Sequence, residues 1–219
     1  MYADDLVLIS PSSAGLQILL NTCLRYGIQF DIKFNSKKSA IMPILPVDKK
    51  KFRIPSFELD NEMIPIVDRY TYLGHILSSD GSDDLDIQRQ RGRVYAQGNS
   101  ILRKFHMCST EVKIVLFKSY CTSLYTAHLW SNYMKKSINN FYTAYHNIMK
   151  LFIGLPKWEH NRPLCVEHDI PYGPALMRNY IYKFKCRLDE SPNIIINAIT
   201  NSDCKYNSPL QKRWKTYYM

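Results

Sequence analysis

The spacing of apolar residues changes character about a third of the way along the 219-residue chain. Before that point the apolar runs are short and separated by turn residues. Asp5 to Ser10 (DLVLIS) is closed by Ser10-Pro11 and predicts a buried strand. Ser12 or Ser13 can cap a helix whose apolar positions Leu16, Leu19, Leu20, Cys23 and Leu24 recur at three and four, with Gly27 as its stop. Phe30, Ile32 and Phe34 alternate with polar residues, predicting a strand over 29–34 and then a turn at Asn35-Ser36-Lys37-Lys38. Ala40 to Leu45 predicts another strand, and 46–56 a basic, proline-bounded loop. Phe57 to Val67 predicts a hairpin about Asp60-Asn61-Glu62, and Tyr70 to Leu77 one further strand. An acidic turn, Ser79 to Asp84, closes this β-rich front.

Beyond the turn the period is helical. Ile87, Val94, Ile101, Leu102 and Phe105 mark one face of a helix over about 84–106, leaving Arg89, Arg91, Arg93, Arg103 and Lys104 for solvent or a ligand. Ser109 or Thr110 caps a second helix to about Trp130, with Val112, Val115, Leu116, Ser119 and Leu124 inward. A third spans Ser137 to Ile153 through Ile138, Phe141, Tyr145, Ile148, Met149 and Phe152, and stops at Gly154. Weaker patterns suggest helices near 174–188 and 193–201, followed by a basic, aromatic tail.

Charge adds a second asymmetry. Residues 1–90 carry 10 basic and 12 acidic side chains, whereas residues 91–219 carry 19 and 7, for a net +10 overall. A surplus gathered in the helical part favours a polyanionic partner, nucleic acid before a membrane surface, although a solvated basic face is the alternative. No apolar run reaches the roughly 18 to 20 residues of a membrane helix, and two aspartates stand where a signal peptide needs positive charge. The six cysteines form no C-x-x-C pair and read as reduced thiols of an intracellular protein. Cys165-x-x-His168 with His160 has a zinc-like spacing but no fourth ligand, so buried or capping roles are favoured there.

The sharpest chemistry is Tyr2-Ala3-Asp4-Asp5, two adjacent carboxylates leading into an apolar run. Such hard oxygen donors suit magnesium, which takes one or two protein carboxylates and completes its shell with water and phosphates. Two ions of that kind can serve phosphoryl transfer. An ordinary acidic turn is the bland alternative for an isolated pair.

This string resembles the catalytic turn of reverse transcriptases, and MYADDLVLISPSSAGLQILLNTCLRYGIQFDIKFNSKKS looks like the proteins of non-LTR (LINE-type) retrotransposons, of CR1 or Jockey-like kind. Asn35-x-x-Lys38-Ser39 is similar to the family's next palm motif, and Tyr72-Leu73-Gly74-His75 to its primer-gripping strand. DDLDIQRQRGRVYAQGNSILRKF and VKIVLFKSYCTSLYTAHLW resemble the thumb helices. The resemblance implies an RNA-directed DNA polymerase that uses Mg2+ (or Mn2+) on an RNA template and DNA primer and acts in the nucleus. It gives Asp4 and Asp5 to the metal site and Lys38 to the pyrophosphate, with Lys37 the weaker candidate. Tyr2, Ala3, Tyr72, Leu73, Gly74 and His75 would lie near nucleotide or primer. Lys38 reads equally as a solvated turn lysine, and 72–75 as ordinary sheet.

Arg89, Arg93 and Arg103 share roughly one helix face and could track the phosphates of an RNA–DNA hybrid. Tyr120, Tyr125, Trp130, Phe141 and Tyr145 read as core rather than stacking platforms. The fold expected is α+β. A partial antiparallel palm sheet with one packed helix (1–78) precedes an α-helical thumb bundle (79–155) and a helical, basic C-terminal region (156–219). The family's earlier palm aspartate and fingers precede the motif with which this sequence opens. The chain is therefore expected to be a truncated retrotransposon product, inactive by itself. A nucleic-acid-binding module without chemistry and a decayed remnant are the alternatives.

Overall fold

The computed structural model describes residues 5–44, 54–202 and 208–218. It is a mixed α+β protein, mainly helical, that divides into two compact units. One comprises residues 1–71 and 77–81, the other residues 72–76 and 82–219.

In the first unit, helix α1 (Ser13–Gln29) begins where expected, because the Ser12 side chain accepts the Gly15 N–H. It runs through Gly27, which is buried in its last turn. A 3-10 turn follows at Ser36–Lys38. The hairpin of β1 (Glu58–Leu59) and β2 (Glu62–Met63) pairs Glu58 with Met63 and Leu59 with Glu62. Its loop is two residues, Asp60 and Asn61, both at positive φ, as the right-handed strand twist favours. The core here is small: Leu20, Phe57, Leu59 and Ile64 are buried, with Leu8, Leu16, Leu24, Phe34, Ile41 and Ile54 packed around them.

Three predicted strands of this unit are not strands. Residues 6–10 have no regular structure, and Leu6, Val7 and Ile9 are exposed. Residues 32–35 are likewise irregular, and around Ala40 only a single bridge forms, Ile41 with Ile66. Apolar runs of this length resemble strands in sequence, but among the described residues they carry no more than isolated bridges, at Asp5 and Ile41, which do not extend into a ladder. The loop predicted over 46–56 falls mostly outside the described residues.

The run 70–77 is broken as well. β3 (Arg69–Tyr72) and β4 (His75–Ser78) form a hairpin turning at Leu73 (φ 46°) and Gly74 (φ 74°). Gly74 is the element that makes this possible, since left-handed backbone costs a residue without a Cβ nothing.

The helical unit is built around α4 (Lys135–Ile153), which delivers Ile138, Phe141, Tyr145, Ile148, Met149 and Phe152 to the core as predicted and ends at Gly154. α2 (Asp84–Lys104) lies along it with Ile87, Val94 and Ile101 buried. Their approach is close enough that a Cβ on Gly98 would sit 2.6 Å from Ile148 Cγ2.

The next helix departs from expectation. α3 (Thr110–Tyr120) is ten residues shorter than predicted, and its inward face is Ile114 and Phe117, continued by Cys121 and Leu124. Val112 and Val115 face solvent. The segment is apolar on several sides, so two registers fit its spacing. The aromatic pocket of Tyr145 and Phe152, each 5.3 Å from the Phe117 ring, takes the second.

After a 3-10 turn at Ala127–Leu129 and α4 come α5 (Asn161–Glu167), α6 (Gly173–Asp189), α7 (Ile194–Asn201) and α8 (Pro209–Tyr218). Among the described residues, those beyond 155 form no separate core. Leu164, Cys165, Ile170, Leu176, Met177, Ile181 and Trp214 all join the one built on α4. Cys165 is buried with its Sγ 3.6 Å from Met149 Sδ, and His168 ends α5 as its C-cap residue. Among the described residues no helix is long and apolar enough to cross a membrane.

Candidate functional site

Asp5 is exposed, while Tyr2, Ala3 and Asp4 lie outside the described residues. Lys38 is exposed on the 3-10 turn. Asn35 shapes that turn by accepting the Lys38 N–H through its side chain at 3.1 Å, a local bond that short polar residues form readily. The Lys38 carbonyl accepts the Tyr70 hydroxyl at 3.5 Å. Two of the motifs singled out in the sequence, the Asn35–Lys38 turn and the strand leading to Tyr72, are thus joined within the first unit. Beside them an open cavity of about 340 Å³ is lined by Lys33, Phe34, Asn35, Ser36, Lys37 and Glu62, and the Ser36 hydroxyl binds the Glu62 carboxylate.

In the second unit the acidic segment, read in sequence as a turn, is an organising centre. Asp86 on α2 is fully buried. Its Oδ1 accepts the Ile76 N–H at 3.1 Å and Arg89 Nε and Nη2 at 2.9 and 2.6 Å. Its Oδ2 accepts the Thr126 hydroxyl at 3.0 Å and Trp130 Nε1 at 2.8 Å, and lies 3.1 Å from His75 Nδ1. Asp83 receives the Ser131 and Asn132 N–H groups at 2.7 and 2.9 Å and sits 3.6 Å from His75 Nε2. Three stretches distant in sequence, 75–76, 83–89 and 126–132, are tied by two carboxylates.

Electrostatics follow from that geometry. Burial alone would lower the His75 pKa, but hydrogen bonds and charge from Asp83 and Asp86 outweigh it and push it up to about 9. Burial likewise opposes ionisation of Asp86, yet bonds from His75, Trp130, Ile76 and Arg89 hold its carboxyl well below the usual carboxylate range. An imidazolium therefore stands between two carboxylates. Elsewhere, burial and the Lys150 charge lower His146 to about 4, so its Nε2 accepts the Gly173 N–H at 3.2 Å as a neutral ring.

Of the remaining residues given to primer and nucleic acid, Tyr72 and Leu73 are half-buried and Gly74 is exposed. His75 is 8% exposed, its ring engaged by the two aspartates rather than open to a ligand. Arg93 and Arg103 are exposed on α2, whereas Arg89 is partly committed to Asp86. Trp130, Phe141 and Tyr145 are core as expected; Tyr120 and Tyr125 are 51% and 60% exposed instead. The sequence carried one missed signal for the hub. In Asp83-Asp84-x-Asp86 the third aspartate is three residues before Arg89, on the helix face that also bears buried Ile87 and Gln90.

Among the described residues no group of three or more His, Cys, Asp or Glu gathers to hold a metal. No family model, curated protein or solved structure matches the chain.

Proposed function

We propose that the chain is part of the reverse transcriptase of a non-LTR retrotransposon, an RNA-directed DNA polymerase, with residues 1–78 in the palm, 79–155 forming the thumb and 156–219 a helical, basic C-terminal region. The observation that carries this reading is the ordered series Tyr2-Ala3-Asp4-Asp5, Asn35-x-x-Lys38 and Tyr72-Leu73-Gly74-His75. The hydrogen bond from Tyr70 to the Lys38 carbonyl supports it, because it joins the second motif to the strand that leads into the third. The exposure of Asp5 and Lys38 is in keeping with groups that must meet a charged substrate.

Adjacent carboxylates at positions 4 and 5 match magnesium's preference for few, hard protein ligands, with Mn2+ as the substitute. Bound there, the ion would supply charge neutralisation at the reacting phosphate. The chain's own residues have separate tasks. Asp4 and Asp5 offer oxygen donors, and the Lys38 ammonium offsets charge on the departing pyrophosphate. The Leu73-Gly74 turn presents backbone to the primer end. Exposed Arg93 and Arg103 track phosphates of an RNA–DNA hybrid.

The test is cross-linking of the full chain to an RNA–DNA hybrid whose recessed DNA primer carries a photoreactive nucleotide at its 3′ end, in magnesium. Cross-links mapping to residues 2–5 and 72–74 are expected. Cross-links confined to other segments, or none with a hybrid that binds, would overturn the assignment.

A further inference from the structure

α7 is built against its local preference. Ile194, Ile195 and Ile196 are three successive β-branched residues, which lose side-chain freedom in a helix. Eight residues are also too few for a helix to persist unaided. What starts it is the Asn193 side chain, which accepts the Ile195 and Ile196 N–H groups at 2.9 and 3.3 Å. Half-buried Ile196 is the inner residue of a helix that packs against α6. The opposite side stands in water: Ile194 is 83%, Ile195 70% and Ile199 61% exposed. Helical spacing sets Ile199 one turn above Ile195, with Ile194 and exposed Ala198 alongside, so the four make one continuous apolar stripe.

The chemistry of α7 narrows what can cover that stripe. Alone among the described α-helices, it contains no Asp, Glu, Lys or Arg. A nucleic-acid strand needs cations to meet its phosphates, and the stripe offers none. A helix lying in a lipid interface carries Lys or Arg on its polar face, where α7 has Asn197, Thr200 and Asn201. A second copy of the chain meets neither objection. Two chains of net charge +10 repel each other, so they come together best where neither presents charge. A two-fold axis sets the same patch on both sides, isoleucine against isoleucine, with no ion to strip of water. The helix is only about 12 Å long, far short of the roughly 800 Å² per partner of a standard interface. The pairing it supports is therefore reversible, with dissociation on the order of 100 µM.

We infer that α7 is a self-association surface, pairing with α7 of a second copy about a two-fold axis through Ile194, Ile195 and Ile199. The inference stands on the helical unit alone and does not depend on the polymerase reading.

Sedimentation equilibrium of the full chain over about 10 to 500 µM tests it. The mean mass should climb from one chain toward two. Added salt should strengthen the association, because it screens the mutual repulsion and leaves apolar contact intact. The double variants Ile195→Lys/Ile199→Lys and Ile195→Glu/Ile199→Glu alter only exposed positions, and each alone should associate at least tenfold more weakly. An equimolar mixture of the two should regain association, now weakened by salt, since lysines of one copy meet glutamates of the other only if the stripe faces itself. A single-chain mass throughout the range, or wild-type association in both double variants, would overturn the inference. So would a monomeric wild-type chain that co-sediments with phosphatidylcholine vesicles and loses that binding in the double variants, which would make lipid the occupant.

Discussion

Replacing Asp86 with asparagine exchanges one oxygen for an NH2 group and should remove a large part of the helical unit's stability. Every group that hydrogen-bonds the carboxylate is a donor in the folded protein, Ile76 N–H and Arg89 on Oδ1 and Thr126 and Trp130 on Oδ2, and the charged His75 ring stands 3.1 Å from Oδ2. An amide nitrogen must face one set or the other. Turned toward Oδ1 it opposes the guanidinium and a backbone N–H, neither of which can accept. Turned toward Oδ2 it can be met by a rotated Thr126 hydroxyl and by a deprotonated His75, but the indole N–H of Trp130 is left unpaired. The better arrangement thus costs about 1–3 kcal/mol for one buried donor, together with the lost charge partner of Arg89 and the forced loss of a proton from His75. A total of about 3–5 kcal/mol, as for breaking other buried ion pairs, is expected. With a slope of roughly 2 kcal/mol/M, the urea midpoint at pH 7 falls by about 2 M, followed by tryptophan fluorescence. NMR titration provides the second readout. The His75 pKa should drop from about 9, since the Asp86 bond and charge are lost and Asp83 alone still opposes burial. A midpoint shift worth less than 1 kcal/mol, with His75 still titrating near 9, would refute the reasoning.

The same groups set the pH range of stability. His75, raised from 6.5 to about 9, contributes about 3 kcal/mol that is fully present below pH 6.5 and lost as pH rises through 9. His128 and His146, both lowered to about 4, chiefly by burial, act in the other direction, and their contribution erodes as pH falls from 6.5 toward 4. Urea midpoints of the helical unit should therefore peak close to pH 6.5 to 7 and fall both toward pH 9 and toward pH 4, and a maximum at pH 5 or pH 9 would contradict the assignment. Gly98→Ala should destabilise by about 1–3 kcal/mol although alanine is the better helix former, because the new methyl meets Ile148 at 2.6 Å. A stabilised variant would show that α4 can move aside. Ser12→Ala removes the acceptor of the Gly15 N–H and should cost about 1 kcal/mol. Amide exchange within 13–29 should quicken while 135–153 is unaffected.

What the sequence disclosed followed the strength of its local signals. α4 was legible because its apolar stripe, polar reverse face and terminal glycine agree, and α2 for the same reason. α3 was half legible: its start is marked by Ser109, but Val112, Ile114, Val115, Leu116 and Phe117 offer two inward faces, and only packing against Tyr145 and Phe152 selects one. The strands assigned to 5–10 and 29–34 failed because an apolar run says nothing about whether a pairing partner is at hand. α5 is seven residues long with Pro163 near its start, too short for a periodic signal. Lys38 and Asp5 are exposed, whereas the Asp86 hub was hidden from the sequence. Apart from Arg89, its partners lie 10 to 44 residues away, and an acidic stretch next to glycine reads as a solvent-facing turn.

The two cores differ greatly in size: among the described residues, four buried apolar side chains form the first against twenty-two in the second. Thermal energy will find the smaller one first. Motions that expose its backbone amides should occur many times for each excursion of the helical body, so that the segment bearing Lys38 samples open forms while Arg89 and Arg93 stay in place. Such a chain has a half that holds its shape and a half that yields first, so slow and fast amide exchange should divide along the sequence as the two cores do.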